Sequence, residues 1–123
     1  MGIFSKHHIL DIMTSDKVSA EKLQDFGFSL SADEKTWNYE ETINVFRING
    51  DEYRDYITIE IDAKHLKKIN VSFADGASRV SPLADYFERK ISRESLTDFL
   101  KQKADKVEAL LEDLINKEII AFK

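Results

Sequence analysis

Residues 92–118 read SRESLTDFLKQKADKVEALLEDLINKE, and this stretch decides the fold. It contains no glycine or proline, and Ser92 stands where the N-terminal cap of a helix is expected. We therefore predict a long helix from about Arg93 to Glu118, which would measure about 39 Å at ~1.5 Å per residue. A compact chain of this size has a radius of gyration of about 14 Å. The predicted helix is thus as long as the whole domain.

The apolar side chains of this helix form a stripe about 160 degrees wide at ~100 degrees per residue. Such a stripe can cover a sheet, whereas a two-stranded coiled coil needs a narrower one. Lys103 and Glu118 fall inside the stripe, so we expect their stems to reach out to solvent or their charges to pair across a dimer. If the helix projects instead, the predicted oligomer face consists of Leu100, Lys103, Val107, Leu111 and Leu114.

Four segments before the helix alternate apolar and polar residues with a period of two, as half-buried strands do. They cover residues 26–30, 37–48, 56–62 and 69–73. In the second segment, one face carries Trp37, Tyr39, Ile43 and Val45, and we expect this face to be buried. Phe46 and Ile48 break this alternation, which predicts a bulge or a strand end near Phe46. Because the connections are short, we predict an antiparallel meander with one wet face.

Shorter helices are predicted on both sides of the sheet. Residues 3–13 fit a short helix, and Ser19 opens a second one that ends near Gly27. After the sheet, Ser81-Pro82 has serine and proline at the first positions of a helix that runs to about Lys90.

The predicted fold class is α+β: a four-stranded antiparallel meander sheet with short N-terminal helices and a long C-terminal amphipathic helix packed on one face. We expect a single domain over residues 1–123. It comprises a helical N-terminal part (1–26), the antiparallel sheet (26–74) and a helical C-terminal part (81–120). The apolar tail formed by Ile119, Ile120 and Phe122 must dock as the end of the helix or as a short strand.

The composition is that of a small acidic globular protein, with a net charge of -5 and no cysteine. The absence of cysteine excludes a disulfide framework and a thiol ligand or nucleophile. No secretion signal or membrane-spanning stretch is visible, so we expect a cytoplasmic protein without a membrane partner. The acidity disfavours nucleic acid as a partner, because the densest basic cluster is only Lys64, Lys67 and Lys68.

The sequence shows no pattern typical of a catalytic, cofactor-binding or metal-binding site. Asp62 is close enough to orient His65 as a general base, but a histidine in a polar turn is usually solvated. Asp51, Glu52 and Asp55 lack the ligand spacing and the terminal glutamate of a calcium loop. We predict no enzyme activity, no cofactor and no metal. A small-molecule-binding domain or an enzyme of unknown reaction, with a pocket between helix and sheet, is one alternative.

A charged segment after the turn dipeptide Asn49-Gly50 is the best candidate for a contact surface. We expect it to be a hairpin loop, where no core is available to Tyr53, and tyrosine and arginine often anchor interfaces. The predicted partner-binding residues are Asp51, Glu52, Tyr53, Arg54 and Asp55.

These features predict a small acidic protein-binding module, comparable to inhibitors, immunity proteins or chaperones of this size. Its partner would be another protein, and a basic one is compatible with the charge. A further alternative is a structural or assembly subunit that forms a homodimer or a larger oligomer through the C-terminal helix.

Overall fold

The computed structural model describes residues 12–76, 79–83, 85–86 and 98–122. The helices with defined bounds are α1 (Ala20–Phe26) and α2 (Asp98–Asn116), and the strands are β1 (Ile12–Thr14), β2 (Ser29–Leu30), β3 (Thr36–Ile48), β4 (Asp51–Asp62), β5 (Ile69–Asp75), β6 (Arg79–Pro82) and β7 (Ile120–Phe122). Five strands form an antiparallel sheet in the order β2-β3-β4-β5-β6, and β1 pairs with β7 in a separate antiparallel sheet. The chain is thus an α+β protein with antiparallel sheets and few helices.

The predicted four-stranded sheet with short N-terminal helices is wrong. A fifth strand, β6, includes Ser81-Pro82, where the sequence predicted the start of a helix. Proline is tolerated there because β6 lies at the sheet edge, where a missing N–H costs little. At the other end of the described chain, Ile12 and Met13 of the predicted first helix form β1 with Thr14 instead, because β7 offers them a pairing strand.

The second predicted helix is present as α1. The Ser19 hydroxyl caps it by accepting a hydrogen bond from the Lys22 N–H at 3.2 Å. Gly27 follows the helix with a φ of 123°, a conformation that suits glycine, and its N–H bonds back to carbonyls of the last turn. Leu23 is fully buried and joins α1 to the core.

The longest strand pair, β3 with β4, contains one bulge. Thr42 faces Tyr56 and Asn44 faces Asp55, so Ile43 is the additional residue. The predicted bulge is confirmed, at Ile43 rather than near Phe46. Before it, the odd-numbered residues of β3 lie across from the buried side chains of β4, and after it the even-numbered residues do.

Helix α2 packs its apolar stripe on the buried face of the sheet. The buried side chains of the helix are Ala104, Val107, Leu110, Leu111 and Leu114, and they share one core with Ile57, Ile59 and Ile61 of β4. Each buried leucine or isoleucine contributes roughly 1.5–3 kcal/mol relative to an exposed one. The helix therefore lies across one face of the sheet, as predicted, and its stripe is covered.

The chain turns into β7 directly after α2, which ends at Asn116 instead of Glu118. Glu118 has a φ of 61°, and the Ile119 N–H donates to the Leu114 carbonyl at 2.9 Å. This geometry closes a helix by a left-handed residue. Ile119 and Ile120 are buried, so the tail docks as a short strand, which is one of the two predicted alternatives.

Some predicted features lie outside the described residues. They are residues 3–11 of the first predicted helix, residues 84 and 87–90 of the helix after the sheet, and Ser92 with residues 93–97 of the long helix. The side chain of Leu100 also lies outside them, although its backbone belongs to α2.

Candidate functional site

The β3–β4 hairpin extends beyond the rest of the sheet. Strand β5 pairs with β4 only from Tyr56 to Ile61, so among the described strands residues 51–55 pair only with β3. We call residues 44–55 the hairpin arm. Its two-residue turn is Asn49-Gly50, with φ angles of 53° and 86° that match a type I′ turn. Residues 47–52 are all exposed.

The structure corrects the position of the predicted charged loop. Residues 51–55 belong to β4, because the alternation that buries Ile57 continues back through Asp55 and Tyr53. Asp51 and Glu52 are exposed near the turn, Arg54 is exposed, Tyr53 is half-buried, and Asp55 is fully buried. Of the five predicted contact residues, Asp55 is therefore not accessible to a partner.

Exposed apolar side chains lie on both faces of the sheet at its arm end. Val45 and Ile48 in the arm are 54% and 50% exposed, and Val80 in β6 is 64% exposed. Cross-strand pairing through Ala74 and Tyr56 places Val80 on the same face as Val45, the outer face turned away from α2, one row along and three strands across from it. Ile48 faces Asp51 and therefore lies on the other face of the arm. Single exposed apolar residues are ordinary, but a group of them commonly marks an interaction site.

Arg54 is held in one position on this outer face. Its Nη2 donates to Glu40 Oε2 at 2.7 Å, and its Nη1 donates to Thr42 Oγ1 at 2.9 Å. The guanidinium also lies 4.1 Å from the centre of the Tyr56 ring, in cation–π contact. A side chain already fixed in this way loses little conformational entropy when a partner packs on it. We call Val45, Arg54, Tyr56 and Val80 the outer patch.

The opposite face of the arm carries a stacked aromatic pair. The rings of Phe46 and Tyr53 are 5.9 Å apart at their centroids, with 24° between their planes. Phe46 also packs directly against Gly76, in the turn after β5, where a Cβ atom would overlap the ring. These contacts attach the base of the arm to the sheet.

Asp55 links the arm to α2 inside the protein. Its Oδ1 accepts the Gly76 N–H at 2.8 Å, and its Oδ2 lies 2.8 Å from Lys103 Nζ. The second contact is a close, buried ion pair. Lys103 Nζ also donates to the Tyr86 hydroxyl at 3.2 Å. Desolvation acts to lower the pKa of Lys103, but Asp55 and Tyr86 outweigh it, so this pKa is raised and the lysine stays charged.

The predicted oligomer face is used inside the chain. Val107, Leu111 and Leu114 are fully buried, and Lys103 is 7% exposed. A helical period shows which side chains share a face, but not that the sheet of the same chain covers that face. A second subunit could not contact them without opening the fold, so a homodimer, which stays a prediction, would need another surface.

The turn that contains His65 has a structural explanation. Asp62 Oδ1 accepts the backbone N–H groups of His65 at 2.9 Å and of Lys64 at 2.8 Å. These two bonds lower the pKa of Asp62. The carboxylate thus binds the backbone of the turn and does not serve to orient the imidazole.

Other ligand sites find little support in the described part of the chain. No group of three or more His, Asp or Glu residues there could hold a metal ion. A shallow hollow of about 210 Å³ is open to solvent on the outer face of the sheet, and its lining is Thr36, Glu60, Asp62, Lys68, Ile69 and Asn70. None of the helices within the described ranges combines the length and hydrophobicity needed to cross a bilayer.

The comparisons with known proteins bear on the fold. No protein-family profile matches the chain, and no curated protein matches it. The crystal structure of a DUF1831 family protein from Lactobacillus plantarum is similar, with a TM-score of 0.64 and 13% sequence identity over 91% of this chain and 86% of that one. At this identity the similarity shows a shared α+β fold and nothing about activity or partners.

Sequence reasoning missed the apolar part of the candidate surface. Val45 was expected on the buried face, but the bulge at Ile43 turns it outwards. The sequence does carry a sign of this change of face, because Phe46 and Ile48 break the alternation of apolar and polar residues after the bulge. Val80 had no comparable signal, since the pattern after it was that of a helix start.

Proposed function

We propose that this protein is a small acidic protein-binding module that acts without catalysis, with the hairpin arm and the outer patch as its contact surface. The observation that carries this proposal is the exposure of Val45 and Val80 on the outer face, with Ile48 exposed on the other face of the arm, all at one end of the sheet. Arg54 and Tyr56 lie between Val45 and Val80 on the outer face, and arginine and tyrosine are among the residue types most often found as interface anchors.

The charges of this surface favour a protein over a nucleic acid. Arg54 is paired with Glu40 at 2.7 Å, and Arg47 is paired with Glu52 at 3.5 Å. Neither guanidinium therefore offers the uncompensated positive charge that binds a phosphate backbone. Asp51 adds a negative charge beside the turn. A partner with an apolar pocket and basic residues around it would complement this surface.

Four of the residues predicted from the sequence belong to the proposed surface. They are Asp51, Glu52, Tyr53 and Arg54, whereas Asp55 supports the arm from within. Whether the role is that of an inhibitor, an immunity protein or a chaperone stays a prediction from size and charge.

The test uses two substitutions at apolar residues of similar size. Val45→Asp places a charge in the outer patch, and Leu30→Asp places one at the opposite end of the sheet, where Leu30 is 39% exposed. Both variants should keep the melting temperature of the wild type because neither side chain is buried. The tagged full chain is then used to capture its partner from native lysate at physiological salt.

We expect Val45→Asp to weaken capture of the partner by about tenfold or more, as loss of an interface anchor does. Leu30→Asp should retain it at the wild-type level. A folded Val45→Asp variant that captures the same protein as strongly as the wild type would overturn the proposal.

A further inference from the structure

The hairpin arm leaves the sheet at the bulge, where few strands support it. Beyond Tyr56, among the described residues, the arm is a two-stranded ribbon. Isolated two-stranded ribbons are marginally stable in water, and a bulge adds twist and bending. The direction of the arm must therefore be set by contacts at its base.

Two lysines of α2 make such contacts. Lys103 Nζ lies 2.8 Å from the Asp55 carboxylate, and Lys106 Nζ donates to the carbonyl oxygen of Ile43, the bulge residue, at 3.0 Å. Residues three apart on a helix lie on the same side of it, so both ammonium groups reach the bulge from one direction. Lys103 and Lys106 together are called the lysine clamp.

A contribution to stability does not by itself explain the buried ion pair between Lys103 and Asp55. Asp55 is 0% exposed, and taking its charge and that of Lys103 out of water costs much of what their attraction returns. Apolar residues of similar volume are often as stable in such positions. What the ion pair adds is direction, because the carboxylate is held by Lys103 on one oxygen and by the Gly76 N–H on the other.

We propose that the lysine clamp fixes the direction in which the hairpin arm leaves the sheet, with Asp55 as the positioning residue through which α2 holds the arm. Apolar contacts in the same place would allow small rotations about the bulge that two directed contacts prevent. The proposal concerns the shape of the free protein, so it can fail or hold independently of the proposed function.

The experiment measures the distance between the arm and α2 by double electron–electron resonance between two nitroxide labels. The chain has no cysteine, so Asp51→Cys near the turn and Ala109→Cys on the exposed side of α2 give exactly the two labels required. The decisive variant carries Asp55→Asn and Lys103→Met, which remove both charges while leaving an oxygen to accept the Gly76 N–H. Lys101→Met, on an exposed position of the same helix, is the matched control.

We expect a single narrow distance distribution in the wild type and in Lys101→Met. The charge-free variant should keep its fold but show a distribution broadened by about twofold, as a weakly held ribbon would. If that variant does not fold, Lys106→Met decides, because its side chain lies on an exposed residue and its loss leaves the core intact. Lys106→Met should broaden the distribution as well. A distribution as narrow as that of the wild type in the deciding variant would overturn the proposal.

Discussion

Gly76 lies where the turn after β5 passes the base of the hairpin arm. Its φ is 20°, its N–H donates to Asp55, and a Cβ atom at this position would overlap the ring of Phe46. Gly50, in the arm's own turn, has a φ of 86° but no neighbouring atom within 4 Å of a built Cβ. A substitution at Gly50 therefore tests backbone strain alone, whereas a substitution at Gly76 adds steric overlap with Phe46.

We expect Gly76→Ala to lower the free energy of unfolding by about 1–3 kcal/mol, the usual cost of overpacking. Gly50→Ala should cost about 1 kcal/mol, from the positive φ alone. Urea denaturation of both variants measures the difference. If Gly76→Ala were no more destabilising than Gly50→Ala, the contact between Phe46 and the turn would not be as tight as described.

Tyr39 provides a test of burial through pH. Desolvation raises its pKa above the ordinary 10.0, and the hydrogen bond of its hydroxyl to Glu41 Oε1, at 2.6 Å, raises it further. Because the pKa in the folded state exceeds that in the unfolded state, the stability gained from neutral Tyr39 is complete below pH 10.0 and is lost as the pH rises towards the folded-state pKa.

The unfolding free energy of the wild type should therefore fall more steeply above about pH 10 than that of Tyr39→Phe, which has no phenol to ionise. Urea denaturation from about pH 8 to pH 11 gives both slopes. Lys103 titrates in both proteins, so it cancels in the comparison. Parallel curves would mean that the Tyr39 hydroxyl is not shielded from solvent.

Asp55 shows what the sequence can and cannot reveal about one residue. Its parity with Ile57 was readable and predicts the buried face, but its acidic neighbours read as a loop. Its partner, Lys103, was seen as a charge inside an apolar stripe that needed an explanation. Periodicity places each side chain on a face, but it does not show which strand residue meets which helix residue across the core.

At the scale of elements, the helix and the β3–β4 pair were predicted best, although residues 51–55 of β4 were expected to form a loop. A regular period of 3.6 or of two extends over many residues in both, so a single irregularity does not hide it. The bulge was detectable as a change of parity, but its position was not, because Ile43 is apolar and fits either register. The short strands β1, β6 and β7 are stabilised by pairing with a neighbouring strand. Each has so few residues that its sequence shows no periodic alternation.

Leu111 tests which surface α2 buries. The side chain is fully buried, so Leu111→Ala should lower the free energy of unfolding by about 2–5 kcal/mol through loss of packing. The mass of the folded protein in solution should not change, because the side chain faces its own sheet. Leu30→Ala is the exposed control, and we expect it to have little effect on stability. A change of oligomeric state without loss of stability would restore the oligomer face predicted from the sequence.

At the scale of the whole molecule, α2 covers one face of the five-stranded sheet, while the outer face presents the patch at its arm end. The α+β class followed from the order of the periodic segments. The outer patch could not be predicted from this order, because it depends on a parity change in β3 and on the short edge strand β6. That the chain is a single domain stays a prediction.

The most direct test of the proposed surface is photo-crosslinking of the full chain in its native cells. A benzophenone amino acid replaces Val45 in one version of the protein and Leu30 in the other, and the products of irradiation are identified by mass. If the outer patch is the contact surface, we expect one discrete protein adduct from position 45 and none from position 30. No adduct from position 45, or the same adducts from both positions, would contradict it.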